Sequence, residues 1–205
     1  MKKWMCILCM AMTMGIASNA GATELSLGLI GGINFADLTD VDETSVRKGF
    51  SGGGFAQADF NSKYGARLEV LYTQKGVERH ENPQTGDPNT TLKLDYVEFP
   101  LLFVANLNNS ETTGFALLIG PSFGSNISAE QTEDPGATTD LDDVEPLEVD
   151  AVLAFEFEHI RSSLSVFVDV RFSMGLTPVF EDVASEYADI KNQDFLLLLG
   201  FKFPL

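Results

Sequence analysis

Cysteine is almost absent from this chain, and both examples lie close to its start. Cys6 and Cys9 are the only two in 205 residues. We expect residues 1–22 to be removed, which leaves residues 23–205 as one domain without cysteine. Disulfides are therefore excluded as a source of stability for the exported chain, which must rely on strand pairing and packing.

The removed segment is predicted from its charge and apolar pattern. Lys2 and Lys3 supply a positive start, residues 5–16 are apolar and too short to span a membrane as a helix, and small residues follow. Both Ala20 and Ala22 can precede the cleavage site. The sequence therefore predicts a secretory signal peptide over residues 1–22 and an exported protein.

Long apolar runs and basic residues are also scarce. Beyond the leader, no run approaches the roughly twenty apolar residues that a membrane helix needs. Thirteen basic residues face 30 acidic ones, so the net charge is −17, or −19 once Lys2 and Lys3 are removed. This balance argues against a nucleic-acid partner. Three classes remain, a periplasmic protein, a secreted protein and an outer-membrane barrel.

Strict alternation of apolar residues is the strongest positive signal. Side chains in a strand point alternately to opposite faces, so residues two apart share a face. In the last stretch, residues 192–205, one face carries Phe195, Leu197, Leu199, Phe201, Phe203 and Leu205. The first strand repeats this pattern with Leu25, Leu27, Leu29, Ile33 and Phe35. First and last strands that share an apolar outer face predict a sheet closed on itself in lipid.

Eight such segments follow one another along the chain, at about residues 24–35, 49–60, 66–75, 91–106, 114–126, 149–158, 164–176 and 192–205. The second, fourth and sixth connections are short, whereas the others are long, with the longest over residues 127–147. Short periplasmic turns and long outer loops are typical of outer-membrane barrels. We therefore predict an all-β, eight-stranded, antiparallel up-and-down transmembrane β-barrel with both termini in the periplasm. The alternative is a periplasmic lipocalin-like carrier, whose apolar face would point inward.

Two short runs resemble a known family. The run LDYVEFPLL at residues 94–102 and the run YTQKG at residues 72–76 resemble the strand motifs of the PorT-like outer-membrane β-barrel family. The resemblance implies an eight-stranded barrel in the outer membrane of a Gram-negative bacterium, but no single activity. The chain's end is similar to the signal read by the barrel-assembly machinery, through Gly200, Phe201, Phe203 and Leu205. Pro100 predicts a bulge or bend in its strand.

Charged residues on the inward faces predict a polar lumen. The candidates are Arg67, Glu69, Asp95 or Glu98, Glu156, Asp169 and Arg171. They would either pair and plug the barrel or line a narrow pore. Acids exceed bases in this set, so we expect some carboxylates to be protonated or bridged by water.

Other chemistry is sparse. His80 and His159 are the only histidines, and they lie near opposite rims, too far apart to share a metal ion. His80 beside Glu78 or Glu81 is a weak version of a lipid-modifying site. An acidic loop could offer oxygen ligands to calcium through Asp140, Asp142, Asp143 and Glu145, although it lacks the order of a calcium loop. No catalytic residue, resident metal or cofactor is predicted.

Two functions remain open. The first is a non-enzymatic barrel, monomeric in outer-membrane lipid, with a structural role or a role in binding through its loops. The second is a narrow, cation-preferring channel, because the lumen and loops are acidic. The assembly machinery is the expected partner during biogenesis.

Overall fold

The computed structural model describes residues 24–39, 44–79, 89–110, 112–134, 136–141, 144–161, 164–180 and 190–205. The predicted signal peptide and His80 lie outside these residues. Within the part of the chain that is described, no helix is long and apolar enough to span a membrane.

Nine antiparallel strands form the described chain, and their alternating burial follows the alternating sequence. They are β1 Glu24–Leu38, β2 Thr44–Asp59, β3 Tyr64–Arg79, β4 Asn89–Asn109, β5 Thr113–Asp134, β6 Ala137–Asp140, β7 Leu147–Arg161, β8 Leu164–Gly175 and β9 Asn192–Pro204. Eight of them are long. The exception is β6, which has four residues and pairs only with the last part of β5.

The sheet closes into a barrel. Each long strand pairs with its neighbour in sequence, β5 pairs with both β4 and β7, and β1 pairs with β9. This closure joins the last strand to the first, with Leu29 opposite Phe201 and Leu27 opposite Phe203. The prediction of a closed eight-stranded antiparallel barrel is confirmed. The start of β1, the close of β9 and the short connections lie at one end of the barrel, which we call the turn end. We call the opposite end the loop end.

The large apolar residues point outward, and charged residues point inward. Leu29, Phe155 and Leu199 are each at least half exposed, whereas Arg67 and Glu69 are fully buried. A water-soluble carrier would show the reverse arrangement. The alternative of a lipocalin-like barrel with an apolar interior is therefore wrong. The exterior is an apolar belt, and the charges lie inside.

The strands are longer at the loop end than the sequence predicts. β2 begins at Thr44 instead of residue 49, and β5 continues to Asp134, into the predicted loop 127–147. β6 turns back on β5 within that same segment, with Gly136 at a φ of 111° in the turn. Backbone pairing continues beyond the apolar belt because it does not depend on an apolar face. Polar side chains there concealed the strands from an analysis of apolar alternation.

Pro100 does not shift the register. The pairings on either side of it, Leu101 with Leu68 and Glu98 with Leu71, have the same register, and β4 is irregular instead at residues 95–96 and 106–108. The predicted bulge at Pro100 is therefore wrong, and the alternative, a bend at this residue, stays a prediction. A missing N–H removes a donor without adding a residue to the strand, so the ladder can skip the position.

Three buried apolar clusters also fill parts of the interior. Toward the turn end, the rings of Phe55 and Phe167 meet edge to face with their centroids 5.7 Å apart. Inward-facing Gly28 and Gly200 make room for them, since a Cβ on either glycine would lie 2.1 Å from a ring carbon. At the loop end, buried residues form what we call the outer apolar cluster: Leu38, Val77, Leu92, Leu94, Tyr96, Ala129, Val144, Val179 and Ile190.

Candidate functional site

Two groups of charged side chains fill the lumen. The first, which we call the arginine cluster, consists of Arg67, Glu69, Glu156, Asp169 and Arg171. The Arg171 guanidinium lies between two carboxylates, with Nη1 and Nη2 at 2.7 and 3.0 Å from the Glu69 oxygens and Nη2 at 2.9 Å from Asp169 Oδ2. This two-point contact with Glu69 is the strong geometry for an arginine–carboxylate pair. The cluster cross-links β3 to β8 through the centre of the barrel.

Arg67 completes the arginine cluster from the turn-end side. Its Nη1 lies 2.7 Å from Glu156 Oε2, and its Nε donates to Gln57 Oε1 at 2.9 Å. The guanidinium carbon lies 4.3 Å from the centre of the Phe55 ring and 5.4 Å from that of Phe167. A buried cation is thus held by a carboxylate, an amide and two aromatic faces.

The second group, which we call the lysine cluster, lies nearer the loop end. A single ammonium group, Lys75 Nζ, faces four carboxylates at 2.7, 2.9, 3.0 and 3.3 Å, those of Glu98, Glu148, Asp150 and Asp194 in that order. All five side chains are buried. The strands β3, β4, β7 and β9 each contribute at least one of these residues. With one formal positive charge against four negative ones, the cluster carries a surplus of three negative charges.

Neutral donors surround the lysine cluster. The Thr73 hydroxyl donates to Glu98 Oε2 at 2.8 Å, and the amide of Asn192 donates to Glu148 Oε1 at 2.6 Å. Asn34 donates to Asp194 Oδ1 at 2.9 Å. Such hydrogen bonds stabilise ionised carboxylates, but they add no positive charge. The surplus therefore remains after every named hydrogen bond has been counted.

A small cavity separates the two clusters. Its volume is about 10 Å³, close to the room that one water molecule needs. Lys75, Glu98 and Asp194 of the lysine cluster line it together with the neighbouring Thr73, and Arg171 lines it from the arginine cluster. Ser122 also lines it, and its buried Oγ has no hydrogen-bond partner within the described part of the chain.

Comparison with known proteins identifies the family. The family model described as "Outer membrane protein beta-barrel domain" matches residues 17–181. The chain belongs to this family. None of the curated proteins matches the sequence significantly.

Two solved structures resemble this outer-membrane barrel in fold. Neisserial surface protein A superposes with a TM-score of 0.53 at 12% identity, over 89% of this chain and 99% of that one. OprG from Pseudomonas aeruginosa superposes with a TM-score of 0.56 at 9% identity, over 92% of this chain and 98% of that one. At these identities the likeness concerns the fold alone, and the apolar belt is the membrane-facing surface of an outer-membrane barrel.

Six lumen residues are predicted from the sequence, and the structure divides them between the two clusters. Five form the arginine cluster, whereas Glu98 lies in the lysine cluster. Asp95, the alternative to Glu98, is only half-buried and accepts a hydrogen bond from the Tyr72 hydroxyl at 2.7 Å.

Four members of the lysine cluster were not singled out by sequence analysis, namely Lys75, Glu148, Asp150 and Asp194. Glu148 was missed because it lies next to the predicted loop, in front of the predicted strand. Lys75, Asp150 and Asp194 fall on inward faces by alternation, so alternation could have placed these three residues in the lumen. Which inward residues share a level depends on the strand register, which alternation does not reveal.

The two runs that resemble the PorT-like family meet at the lysine cluster. From the run at residues 94–102, Glu98 pairs with Lys75, and the Lys75 ammonium lies 5.2 Å from the centre of the Tyr96 ring. From the run at residues 72–76, Thr73 and Lys75 point inward, and Gly76 has a φ of 119° that favours glycine. Both runs therefore build one site.

The remaining candidates lie at the two ends of the barrel. Asp140 is exposed on β6, Glu145 is half-buried beyond it, and Asp142 and Asp143 lie outside the described residues. His159 is exposed at the turn end. The proposed assembly residues Gly200, Phe201, Phe203 and Leu205 close β9 against β1. The loop acids and the assembly residues stay predictions.

Proposed function

We propose that this outer-membrane barrel is a non-conducting, non-enzymatic protein that acts through its acidic loop end, by binding a positively charged partner. The observation that carries the proposal is the filled lumen. Two charge clusters and the outer apolar cluster follow one another along the axis, and the cavity between the charge clusters has room for about one water molecule. An eight-stranded barrel is narrow enough for side chains to fill it.

The length of two strands supports a role for the loop end. β4 and β5 have 21 and 22 residues. At about 3.4 Å per residue and a tilt near 45°, such strands rise roughly 50 Å, whereas the apolar band of an outer-membrane barrel is about 25 Å tall. Together with β6 they form a projecting hairpin beyond the apolar belt. This hairpin gives a partner a firm, structured surface.

The charge of the projecting hairpin indicates the chemistry of the partner. Glu130, Glu133 and Asp140 lie on its described residues, and the segment from residue 127 to residue 147 contains no lysine or arginine. The nearest basic residue in the β4–β5 ladder is Lys93 of β4, which lies opposite Glu130 of β5. A surface of one sign attracts ligands of the other sign over about a Debye length. A lysine-rich polypeptide is the kind of partner that fits.

Conductance tests the closed lumen. The refolded protein in a planar bilayer should show no defined single-channel steps. Defined steps that are blunted in Glu69→Gln or in Asp169→Asn would instead establish the cation-preferring channel. Both substitutions remove a lumen charge and leave the loop end unchanged.

Binding of a lysine-rich peptide to the protein in nanodiscs of neutral lipid tests the surface. The double variant Glu130→Gln/Glu133→Gln should bind several-fold more weakly than the wild type. Its matched control removes two acids at the turn end, as Glu24→Gln/Asp59→Asn, and should bind like the wild type. Equal losses in both variants would mean that only net charge matters.

The orientation is proposed with the loop end outside the cell and both termini in the periplasm. The absence of cysteine from residues 23–205 allows a direct test. On intact cells, Asp140→Cys should react with a membrane-impermeant maleimide, and Lys63→Cys at the turn end should not. The opposite labelling pattern would reverse the orientation.

The proposal also includes membership of the PorT-like family and two partners, outer-membrane lipid and the barrel-assembly machinery. The two runs around Lys75 support membership of the PorT-like family. The apolar belt supports direct contact with outer-membrane lipid, and the alternating end of β9 supports delivery by the barrel-assembly machinery. A monomer is proposed because, among the described strands, the closed barrel leaves no long one with an unpaired edge.

A further inference from the structure

The apolar belt contains a furrow on the side of the barrel formed by β5, β7 and β8. Its volume is about 370 Å³, and the surface that lines it is almost entirely apolar. Gly120, Asp150 and Val152 line it at inward positions of the strands. The other lining residues are exposed on the exterior, namely Ile119, Pro121, Ala151, Leu153, Phe172, Met174 and Leu176. The furrow therefore lies in the membrane-facing surface, outside the lumen.

Two short side chains at one level of the barrel create the furrow. Pro121 on β5 lies directly opposite Ala151 on β7, and both are exposed. Every other outward position from Phe115 to Phe123 and from Val149 to Phe157 carries Phe, Leu, Ile or Val. The rows on either side therefore have longer side chains, with Ile119, Leu153 and Phe172 toward the turn end and Phe123 and Val149 toward the loop end. Strand register thus places a low row between two higher ones.

An empty gap in this surface is unfavourable. Atoms that line a gap without neighbours lose dispersion contacts, and water in the furrow would find few hydrogen-bond partners among apolar side chains. The belt is the surface that an outer-membrane barrel presents to lipid, and the furrow is continuous with it. The occupant is therefore drawn from the membrane.

The size and shape of the furrow fit a hydrocarbon chain. One water molecule takes up about 30 Å³ in the liquid and a CH₂ group is of similar size, so the furrow has room for a segment of several CH₂ groups. Such a chain is flexible and can lie along the low row, and the unbranched Met174 can adjust to it from the side. The outside of a closed barrel is convex, so a second copy of this chain would contact the walls of the furrow and leave its floor empty.

We infer that the furrow binds the acyl chain of one membrane lipid, which lies over Pro121 and Ala151 and packs against Phe172 and Met174. Ala151 directly follows Asp150 of the lysine cluster, which lies nearer the loop end, so the lipid comes from the leaflet on that side. This site lies on the exterior, and it depends neither on the proposed partner binding nor on the closed lumen.

A smaller groove in the same belt provides a matched control. Its volume is about 270 Å³, and it lies near the turn end, where Leu25, Ala56, Ala66 and Leu205 are among its lining residues. Ala56→Phe fills this groove with the same substitution that Ala151→Phe introduces into the furrow. Both variants change an outward residue and leave the lumen unaltered.

Retention of a phospholipid tests the inference. The protein is refolded in phosphatidylcholine vesicles, extracted into a mild detergent and analysed by native mass spectrometry. We expect the wild type and Ala56→Phe to retain one phosphatidylcholine per chain, and Ala151→Phe to show a lipid-bound fraction several-fold lower. Faster migration without boiling confirms that each variant has folded. A wild type without bound lipid, or an equal loss in the two variants, overturns the inference, and so does a loss confined to Ala56→Phe.

Tryptophan fluorescence locates the chain, because residues 23–205 contain no tryptophan. Phe172→Trp reports on the furrow, and Phe201→Trp on β9 is the control on the belt outside it. Each is refolded with phosphatidylcholine that carries bromine on its acyl chains, which quenches tryptophan on contact, and is then mixed with an excess of unbrominated lipid in mixed micelles. Quenching should disappear at once in Phe201→Trp and several-fold more slowly in Phe172→Trp, and adding Ala151→Phe should remove the slow phase. Equal rates in the two single variants overturn the inference.

Discussion

The arginine cluster and the lysine cluster lie in the same lumen and differ in their balance of charge. Arg67 and Arg171 face three carboxylates, and each guanidinium holds a carboxylate at 2.7 Å. Lys75 faces four carboxylates with one ammonium group. The nearly balanced cluster has the character of a structural plug. The unbalanced cluster has three more carboxylates than cations, and two of its buried oxygens, Asp150 Oδ1 and Asp194 Oδ2, have no hydrogen-bond partner within the described residues.

Removing the only cation of the unbalanced cluster should have the largest effect. At neutral pH, Lys75→Met leaves the four buried carboxylates without the lysine's positive charge, and we expect a loss of unfolding free energy at the upper end of the about 3–5 kcal/mol typical of a broken buried pair. Urea unfolding followed by circular dichroism measures it. Carboxylates lose their charge in acid, so the deficit relative to the wild type should shrink there. An equal deficit at both pH values would contradict charge repulsion as its cause.

Breaking the balanced cluster should cost less, because one arginine remains. Arg171→Leu removes the two-point contact to Glu69 and the 2.9 Å contact to Asp169, whereas Arg67 stays 3.8 Å from Glu69. We expect a loss of about 3 kcal/mol in the same unfolding experiment. Arg171→Lys is the control that keeps the charge but not the planar fork, and it should recover part of the loss. Full recovery would show that the fork geometry is unimportant.

The sequence could predict which residues face the lumen, but not which of them form one cluster. Alternation assigned Arg67, Glu69 and Arg171 to the lumen, because a strand's two faces are fixed by its period of two. It also placed Lys75 and Asp150 on inward faces. What it could not supply was the level at which inward residues of different strands meet. That level follows from the stagger of the barrel, for example Asp150 opposite Gly175 and Ser122.

The loop end was the least predictable region, for a related reason. Beyond the apolar belt the outward positions of β5 and β6 are polar, so apolar alternation disappears while the backbone ladder continues. Thr132 still pairs with Thr138, and Glu130 with Asp140. Glu148, a member of the lysine cluster, was missed for a similar reason, because it fell between the predicted loop at residues 127–147 and the predicted strand that begins at residue 149, whereas the strand itself begins at Leu147. Apolar alternation therefore predicts strands only over the part of the barrel that faces lipid.

Removing one acid from each cluster sharpens the contrast between them. Glu69→Gln should cost about 2 kcal/mol, since Glu69 accepts two hydrogen bonds from Arg171 and lies near Arg67. Asp150→Asn removes one of four carboxylates that share a single ammonium group, so it should change the unfolding free energy by less than about 0.5 kcal/mol. Urea unfolding midpoints of both refolded variants test this pair of predictions. Equal losses would show that the surplus in the lysine cluster is already neutralised by other means.

The smallest effect should come from the ion pair at the turn end. Lys202 Nζ lies 2.7 Å from Glu158 Oε2, but each side chain keeps more than a tenth of its surface exposed, unlike any member of the two clusters. Water can replace a lost partner there, so Lys202→Gln should cost about 1 kcal/mol or less. Lys202→Arg, which keeps the charge, is the matched control. Added salt should narrow the difference between wild type and Lys202→Gln, because exposed charges are screened. The same salt should leave the Arg171→Leu deficit nearly unchanged, since the side chains of Arg171 and Glu69 are buried and buried pairs are screened much less. A loss at Lys202 as large as that at Arg171 would mean that position in the barrel, rather than access to water, sets the energy of these pairs.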